Sequence, residues 1–252
     1  MFRHQGKRRT FIHNLRLASN LSFVAGIVNV VGVLSLATLT TNVTGHFAFF
    51  AEEILVKNYS KAISFLLFIF FFLIGAFVSN FLVEISLRKN IKMAHTIPMF
   101  LEIAILCFVV ISQDWFLIIE NQRYVAYILL FAMGLQNALV TQISQSTVRT
   151  THLTGLFTDL GIELSQLFFY QKTPLYKKLK RNISLRLSII LFFFLGCTVG
   201  GFLYTILKLD TLLIAALALI IALFYDNIRF YYYHSKRKIT RVKKIVIPIS
   251  KS

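Results

Sequence analysis

The sequence predicts an all-α polytopic membrane protein with about six transmembrane helices. Of its 252 residues, 57% are hydrophobic and the mean hydropathy is +0.71, whereas a soluble domain is about 45–50% apolar. Apolar runs of about 17–25 residues, the length that crosses a bilayer as a helix, recur along the chain. The basic residues cluster between these runs in a pattern that fits six crossings.

Six apolar runs are long enough to cross the membrane. They cover residues 19–40, 62–83, 97–113, 124–143, 187–207 and 211–228. Pro98 and Glu102 interrupt the third run, and only Lys208–Asp210 separates the fifth from the sixth, which predicts a tight helical hairpin. Two further apolar segments, 44–58 and 156–170, are too short to cross and carry acidic residues, so they are predicted to be re-entrant or interfacial helices. A seven-span or eight-span arrangement that inserts them fully stays open.

The basic residues predict the orientation of the chain. Lysine and arginine number 27 against 10 acidic residues, a net charge of +17. With six crossings, nearly all of the basic residues fall on one side; the exceptions are Lys57, Lys61, Arg123 and Lys208. The positive-inside rule places the rich side in the cytoplasm, with a basic N-terminus (1–18) and a basic tail (229–252). Topology and contact with anionic lipid account for this charge, so no nucleic-acid partner is predicted.

One polar pattern occurs twice, each time in or after an apolar run. The first copy reads GIVN at 26–29 and TTNVTG at 40–45, and the second reads GLQN at 134–137 and TTHLTG at 150–155. The first parts are offset by 108 residues and the second parts by 110. Glu53 and Glu163 keep the offset of 110, and Gly75 and Gly196 follow in Phe-rich runs at an offset of 121. The chain is therefore predicted to contain an internal repeat.

Each predicted repeat, 19–115 and 122–228, contains three spans. Because the count is odd, the second copy enters the membrane from the opposite side, which predicts an inverted-topology repeat. Such repeats are related by a pseudo-two-fold axis in the membrane plane and build many secondary transporters. Some channels and some non-transport membrane proteins also contain inverted repeats, so the pattern favours transport without requiring it.

The duplicated residues are predicted to line a substrate pathway. A threonine can cap the first N–H groups of a short helix, glycine permits a sharp turn or a close approach, and the positive end of the helix then faces the interior. Two such ends are expected to meet near the midplane. The predicted pathway residues are Asn29, Thr41, Thr44, Gly45, Asn137, Thr151, Thr154 and Gly155. The alternative is that threonine and glycine only pack the helices and that the asparagines hydrogen-bond between them.

Acidic residues near the motifs are candidates for proton coupling. Glu53 and Glu163 occupy equivalent positions, and a carboxylate that faces a cavity can take up a proton; an ion-paired acid on an interfacial helix is the alternative. Arg149 and Asp159 belong to the second motif alone and are expected to act there, for example by pairing. The sequence contains no catalytic motif and no metal-ligand spacing, so it predicts no enzyme, no metal site and no cofactor.

The segments GIVNVVGVLSLATLTTNVTGH and GLQNALVTQISQSTVRTTHLTGLFTDLGIEL resemble the YoaK-like family of bacterial inner-membrane proteins of unknown function, over about residues 19–226. The resemblance implies a multi-pass protein of the bacterial plasma membrane and supplies no substrate. The repeats predict a small-solute transporter or permease embedded in the lipid bilayer, with an unknown substrate. A non-transport scaffold, assembly factor or sensor is the alternative, and homo-oligomerisation stays open.

Overall fold

The computed structural model describes residues 10–89, 91, 94–116 and 122–225 of the chain, and every regular element in these ranges is helical. The α-helices are α1 (Phe11–Leu36), α2 (Val43–Leu55), α3 (Tyr59–Arg88), α4 (Ile97–Ile111), α5 (Gln113–Phe116), α6 (Gln122–Ser144), α7 (Leu153–Phe169), α8 (Leu175–Leu207) and α9 (211–225). Short 3-10 turns precede α4 and α9, at Ala94–Thr96 and Lys208–Asp210. The predicted basic tail, 229–252, lies outside the described residues.

Five helical stretches of the described chain are long and apolar enough to cross a membrane. They are Phe11–Leu36, Tyr59–Arg88, Ala94–Ile111, Arg123–Ser144 and Leu175–Tyr225. The chain is therefore an all-helical protein of the multi-pass membrane type. The count differs from the six predicted runs because the last stretch, 51 residues long, contains both the fifth and the sixth run.

The last stretch is folded back on itself. α8 ends at a 3-10 turn, where Lys208 adopts φ 52° and ψ −130°. At the start of α8 the guanidinium carbon of Arg181 lies 5.1 Å from the ring centre of Phe11, and at the far end of α9 the ring centre of Tyr225 lies 5.5 Å from the guanidinium carbon of Arg16. Because Phe11 and Arg16 both belong to the first turns of α1, the start of α8 and the end of α9 share one end of the bundle. α8 and α9 therefore run antiparallel, as the predicted hairpin requires.

Two helices begin well before the apolar runs that predict them. α1 begins at Phe11, inside the predicted N-terminal segment 1–18, and α8 begins at Leu175, well before the fifth run. The added turns are polar and include the basic run Lys177–Arg181. Lysine and arginine are good helix formers, but hydropathy detects only the apolar part of a helix that extends beyond the membrane.

α1 and α8 pack in parallel and cross at two glycines. A Cβ added to Gly26 would lie 2.2 Å from the carbonyl oxygen of Phe193, and a Cβ added to Gly196 would lie 2.1 Å from that of Phe23. These distances are far below van der Waals contact, so only glycine permits this approach of the two backbones. Small residues serve the same purpose at many helix interfaces in membranes.

α3 and α6 form a second parallel pair with the same kind of crossing. A Cβ added to Gly75 would lie 2.1 Å from the carbonyl oxygen of Phe131, and a Cβ added to Gly134 would lie 2.1 Å from that of Phe72. The four long helices are thus held as two close pairs, and in each pair both partners contribute a glycine.

α1 and α6 lie at the centre of the bundle and run antiparallel. In each of these helices 67% of the most apolar stretch of 18 residues is buried inside the bundle, against 22% in α3. The Gln136 side chain on α6 donates through Nε2 to the carbonyl oxygen of Leu21 on α1 at 2.8 Å. Beyond the end of α1, the ring of His46 on α2 lies 5.1 Å from that of Phe68, which lies 5.2 Å from that of Tyr127 near the start of α6. The end of α1 and the start of α6 therefore share one end of the bundle.

α2 and α7 are shorter than a bilayer is thick. They contain 13 and 17 residues, which span about 20 and 25 Å, against about 30 Å of hydrocarbon. α2 packs on α3, and α7 packs on α8. Each follows a reversal of the chain that includes a left-handed residue, Ala37 (φ 51°) or Gln145 (φ 52°). Neither helix is a candidate span, in agreement with the prediction that 44–58 and 156–170 are too short to cross.

Candidate functional site

The first copy of the duplicated motif ties the chain back onto α1. The hydroxyl of Thr41 donates to Oδ1 of Asn29 at 2.9 Å. One residue later, Oδ1 of Asn42 accepts a hydrogen bond from the backbone N–H of Gly45 at 3.0 Å. Asn42 is therefore the N-cap of α2, and it satisfies one of the N–H groups that the first turn of a helix leaves free.

The second copy makes the same tie to α6. The hydroxyl of Thr151 donates to Oδ1 of Asn137 at 2.8 Å, and Nδ2 of Asn137 donates to the carbonyl oxygen of Met133 at 2.9 Å. His152 is the N-cap residue of α7 and makes no side-chain capping bond. Its ring occupies the space beside Gly155, where an added Cβ would lie 2.5 Å from Nδ1. The asparagine of G-x-x-N and the first threonine of T-x-x-T-G are thus bonded in both copies, which explains why the two short motifs occur together.

The other predicted pathway residues lie on the first turns of the short helices. Thr44 and Thr154 are exposed, and Gly45 and Gly155 are half-buried. The capping expected of a threonine is made instead by Asn42 in α2. The predicted segments 44–58 and 156–170 begin one and three residues after the helices do, so Thr44 and Thr154 lie inside the first helical turn and are not N-cap residues.

The two motifs lie on opposite sides of the centre of the bundle. Measured from the hydrogen bond between Gln136 and Leu21, Asn29 lies eight residues further along α1, about 12 Å at 1.5 Å per residue. Asn137 lies one residue past the same bond on α6, toward the other end because the helices are antiparallel. The motifs are therefore about 13 Å apart along the bundle, and they do not meet as the sequence led us to expect.

An ion-pair cluster joins α7 to α8 beside the second motif. Arg186 donates to Glu163 twice, from Nε to Oε2 at 2.7 Å and from Nη2 to Oε1 at 3.1 Å, and from Nη1 to Oδ2 of Asp159 at 2.8 Å. Nδ2 of Asn182 adds a bond to Oε1 of Glu163 at 2.9 Å. The side chain of Glu163 is 10% exposed, against 51% for Asp159. A bidentate arginine–carboxylate pair of this kind fixes orientation as well as charge.

Arg186 and Asn182 were missing from the residues that the sequence predicted for the site. They lie four residues apart and share one face of α8, as Asp159 and Glu163 do on α7. The spacing of these two polar pairs could have indicated the cluster. It was missed because the fifth apolar run begins at residue 187, after both Asn182 and Arg186. Asp159 pairs with Arg186 rather than with the exposed Arg149.

The corresponding space between α2 and α3 is aromatic. The ring of Phe49 lies 5.3 Å from that of Phe65, and the ring of His46 lies 6.0 Å from that of Phe65. The nearby acid, Glu53, has Lys61 as a partner at 3.9 Å, and the Lys61 side chain is 69% exposed. Such a pair contributes little in solvent, so the contact between α2 and α3 depends on packed rings.

A polar cavity of about 370 Å³ opens beside the ion-pair cluster. Its polar lining comes from the turn after α6, from α7 and from α8, and includes Arg149, His152, Gly155, Asp159, Asn182 and Arg186. Three of the residues predicted from the sequence, Gly155, Arg149 and Asp159, are therefore brought together here, whereas the residues of the first motif are not part of this lining. The cavity offers both cationic and anionic groups to a small polar molecule.

A second cavity, of about 460 Å³, is shallow and largely open on one side; it adjoins the first at Ser146 and has lining residues from α3 and α6. Its polar lining consists of uncharged amides and hydroxyls, on Asn80, Asn137, Thr141, Gln142, Gln145 and Ser146. The Oε1 atom of Gln142 is buried and has no hydrogen-bond partner within the described part of the chain. Amide side chains both donate and accept, so this lining suits the uncharged polar groups of a ligand.

Metal binding has no support from the geometry of the residues described. Among them, no group of three histidine, cysteine, aspartate or glutamate side chains could hold a metal ion. The two cysteines are free thiols, and Sγ of Cys197 donates to the carbonyl oxygen of Gly26 at 3.3 Å, where it helps to pack α8 on α1.

The apolar helices and the polar cavities between them define a helical membrane protein of the multi-pass type. Residues 17–225 match the model of the family described as protein of unknown function (DUF1275), and the chain belongs to that family. The resemblance to the YoaK-like family is thereby confirmed, because the two are the same family. No curated protein and no solved structure matches the chain.

Proposed function

We propose that the protein is a small-solute transporter built from two inverted three-span repeats, with its solute site in the two cavities at the second motif. The repeats, 19–115 and 122–228, correspond to the architecture in which one half rocks against the other around a central site. The surroundings are the lipid bilayer, the solute is unknown, and the proposal involves no enzyme chemistry, no cofactor and no nucleic acid.

Equivalent glycines in the two halves make equivalent contacts, and this supports the repeat. When each residue is replaced by its equivalent, at an offset of 108 or 121 residues, the crossing of α1 and α8 becomes the crossing of α6 and α3. The carbonyl oxygen that each glycine faces corresponds as well. The exchanged pairs are Gly26 with Gly134, Phe23 with Phe131, Gly75 with Gly196 and Phe72 with Phe193. Chance similarity between apolar segments would not reproduce these contacts in register.

The motif contacts support the repeat in the same way. The bond from Thr41 to Asn29 measures 2.9 Å and its equivalent in the second half measures 2.8 Å. The left-handed residues that follow α1 and α6, Ala37 and Gln145, are also 108 residues apart. Equivalent helices therefore end with the same backbone conformation.

The polarity of the second cavity carries the transport proposal. Its lining residues Asn80, Thr141, Gln142 and Gln145 have the repeat equivalents Gly201, Val33, Leu34 and Ala37, respectively. Polar side chains between membrane helices cost free energy when they are not satisfied, and a cleft with a few convergent polar groups is the usual form of a small-molecule site. Four of the six polar side chains around this cavity therefore occur in one half only, and this favours binding over packing.

The two cavities divide the proposed site into a charged and an uncharged side. Arg149 and Asp159 contact the charged part of the solute beside Gly155, and Asn137 lies on the uncharged side. Glu163 holds Arg186 beside the cavity through their ion pair, and Glu53 has Lys61 as a partner, so neither is proposed to carry the coupling proton. The remaining duplicated residues, Asn29, Thr41, Thr44, Gly45, Thr151 and Thr154, shape the turns on which the short helices begin.

The proposed orientation places the second motif at the cytoplasmic face of a bacterial inner membrane, with both termini on the same side. The start of α1 and the basic run Lys177–Arg181 share that end of the bundle, and the positive-inside rule assigns it to the cytoplasm. A membrane-impermeant thiol reagent added to intact cells should label Lys57→Cys and leave Lys178→Cys unlabelled in a cysteine-free background. The reverse pattern would invert the topology.

One observation favours the alternative of a scaffold, assembly factor or sensor. Asn29 and Asn137 each direct the side-chain oxygen to a threonine of the same half, so the duplicated motif is satisfied internally. In this alternative the second-motif cavity holds a segment of a partner protein instead of a solute.

Comparison of the metabolites of a deletion strain with those of its parent tests the transport proposal. The level of a transported solute should change in the deletion strain and return with the parental gene. Gln142→Leu, which copies the residue of the first half, should reach the membrane folded and fail to restore that level, whereas Val33→Leu at an apolar equivalent should restore it. Identical metabolite profiles, or full restoration by Gln142→Leu, would reject the proposal.

A further inference from the structure

Glu102 lies on the buried face of α4, and its carboxyl group has no hydrogen-bond partner within the described part of the chain. The residue is 0% exposed, and both Oε1 and Oε2 are buried and unbonded. Its neighbours on the same face are Pro98, Met99, Leu106 and Val109. An ionised carboxylate is very costly in such surroundings, and buried acids without a counter-charge take up a proton instead.

Glu102 on α4 and Gln136 on α6 both lie inside the bundle. Beyond the end of α4, the ring of Trp115 on α5 lies 6.2 Å from that of Tyr124 at the start of α6, and α4 packs on α6. Because the chain reverses between them, α4 and α6 run antiparallel. Glu102 lies nine residues, or about 13 Å, before the last residue of α4, and Gln136 lies twelve residues, or about 18 Å, beyond Tyr124.

Gln136 and Ser22 contribute further unsatisfied polar atoms to the core. Oε1 of Gln136 and Oγ of Ser22 are buried without a partner in the described chain. Ser22 directly follows Leu21, whose carbonyl oxygen accepts the Gln136 amide. α1, α4 and α6 therefore each bring a side chain with an unsatisfied polar atom into an otherwise apolar core, and these atoms are not bonded to one another.

The charged and titratable side chains of the elements packed against α4 lie toward the ends of those elements. They are Tyr59, Lys61, Glu84, Arg88 and Lys89 on or just after α3, Asp114 on α5, Arg123, Tyr124 and Tyr127 on α6, Lys208 and Asp210 in the second 3-10 turn, and His95 in the first. His95 is the closest along the chain, seven residues or about 10 Å before Glu102. Among the described residues, none of these groups is hydrogen-bonded to the carboxyl group of Glu102.

We propose that Glu102 is the proton-binding site of this protein and exchanges its proton with water when the bundle opens. The carboxyl O–H bond breaks, the proton passes to water, and the carboxylate is later protonated from water. This inference rests on the proposed transport function for its purpose, since proton exchange at the centre of the bundle can be coupled to movement of the solute. Glu53 and Glu163, by contrast, already have Lys61 and Arg186 as partners.

Infrared spectroscopy of the full-length protein in lipid tests the proposal without any solute. The parental protein should show the C=O stretching band of a neutral carboxylic acid at neutral pH, and the band should shift within minutes of transfer to D₂O. Glu102→Gln should remove this band, and the matched control Glu163→Gln should keep it. Absence of the band, or a band that stays unshifted for hours, would overturn the proposal, because a sealed structural acid does not exchange.

Labelling with dicyclohexylcarbodiimide covers the case in which Glu102→Gln does not fold. This apolar reagent modifies protonated carboxyl groups inside membranes, so mass spectrometry of the parental protein should find the adduct on the peptide that contains Glu102. An unmodified Glu102 would count against the proposal. If the band exchanges and the deletion strain shows no metabolite change, the proton site is supported and transport is rejected. If a metabolite level changes and the band is absent or does not exchange, transport is supported and the proton site is rejected.

Discussion

The two motif regions share a backbone design and differ in chemistry. In both, a threonine is bonded to an asparagine one helix earlier, and a short helix follows. The offsets of 110 and 121 residues then place Phe49 and Phe65 where the second half has Asp159 and Arg186. The first pair is a contact between rings at 5.3 Å, and the second is an ion pair at 2.8 Å.

The difference separates residues that hold the fold from residues that supply chemistry. The duplicated residues are bonded within their own half or lie where helices approach closely. The polar groups that line the cavities are mostly the ones without a polar counterpart, such as Arg149, Asp159 and Gln142. In the proposed repeat, most duplicated residues therefore hold the fold, and most polar residues of the candidate site are those without a polar counterpart.

The largest effect is expected at the glycine crossings, where the two halves should behave alike. Gly26→Ala and Gly75→Ala each place a Cβ 2.1–2.2 Å from a backbone carbonyl oxygen, so the helices must separate. We expect each to lower the free energy of unfolding by about 3 kcal/mol, measured by thermal unfolding of the purified protein. Gly161→Ala on α7 is the control, because no atom lies within 4 Å of its added Cβ.

This control should be neutral or stabilising, by about 0.5–1 kcal/mol, because alanine is the better helix former. If Gly75→Ala were as stable as Gly161→Ala, the close crossing would not exist in the membrane protein. Sensitivity at only one of the two crossings would contradict the equivalence of the halves.

Changes at the ion-pair cluster should reduce stability far more than changes at the corresponding positions of the first half. Arg186→Met leaves Glu163 in a mostly buried position without its cation, and we expect a loss of about 3 kcal/mol. Lys61→Met removes the exposed partner of Glu53 and should cost less than about 1 kcal/mol. Denaturant or thermal unfolding measures both. Adding Glu163→Gln to Arg186→Met should recover part of the loss, and equal effects of the two single changes would remove the contrast between the regions.

Loss of the asparagine–threonine hydrogen bond should reduce stability by a similar amount in both halves, and by less than the changes above. Asn29→Ala and Asn137→Ala each leave a threonine hydroxyl without its acceptor, and we expect a loss of about 1–3 kcal/mol from each. A thermal shift assay on both variants checks this. An Asn137→Ala protein with parental stability and an altered metabolite profile would instead assign Asn137 to the solute.

The helix caps should give the smallest difference. Asn42→Ala removes the side-chain cap of α2 and should cost about 1 kcal/mol, with faster amide exchange in the first turn of that helix. His152→Ala removes a residue that makes no capping bond on α7 and should leave stability nearly unchanged. A loss at His152 as large as that at Asn42 would show that its ring supports the turn by packing.

Helix positions were predictable because hydropathy and length are sums over neighbouring residues. The hairpin at Lys208–Asp210 and the two short helices follow from this local reading. The helix ends were not predicted, and α8 begins twelve residues before its apolar run, because a helix that continues beyond the apolar region loses its hydropathy signal and keeps its hydrogen bonds.

Composition, run length and spacing were enough to predict an all-helical membrane protein with a duplicated polar motif, since none of them requires knowledge of which helices touch. The roles of the individual residues became visible only in the folded protein. In the structure Asn29 is hydrogen-bonded to Thr41, and Asp159 pairs with Arg186 instead of Arg149. Asn29 and Asn137 lie on opposite sides of the bond between Gln136 and Leu21. The physical reason is that burial and pairing depend on which helix faces which, and that choice is made by contacts between residues far apart in the chain.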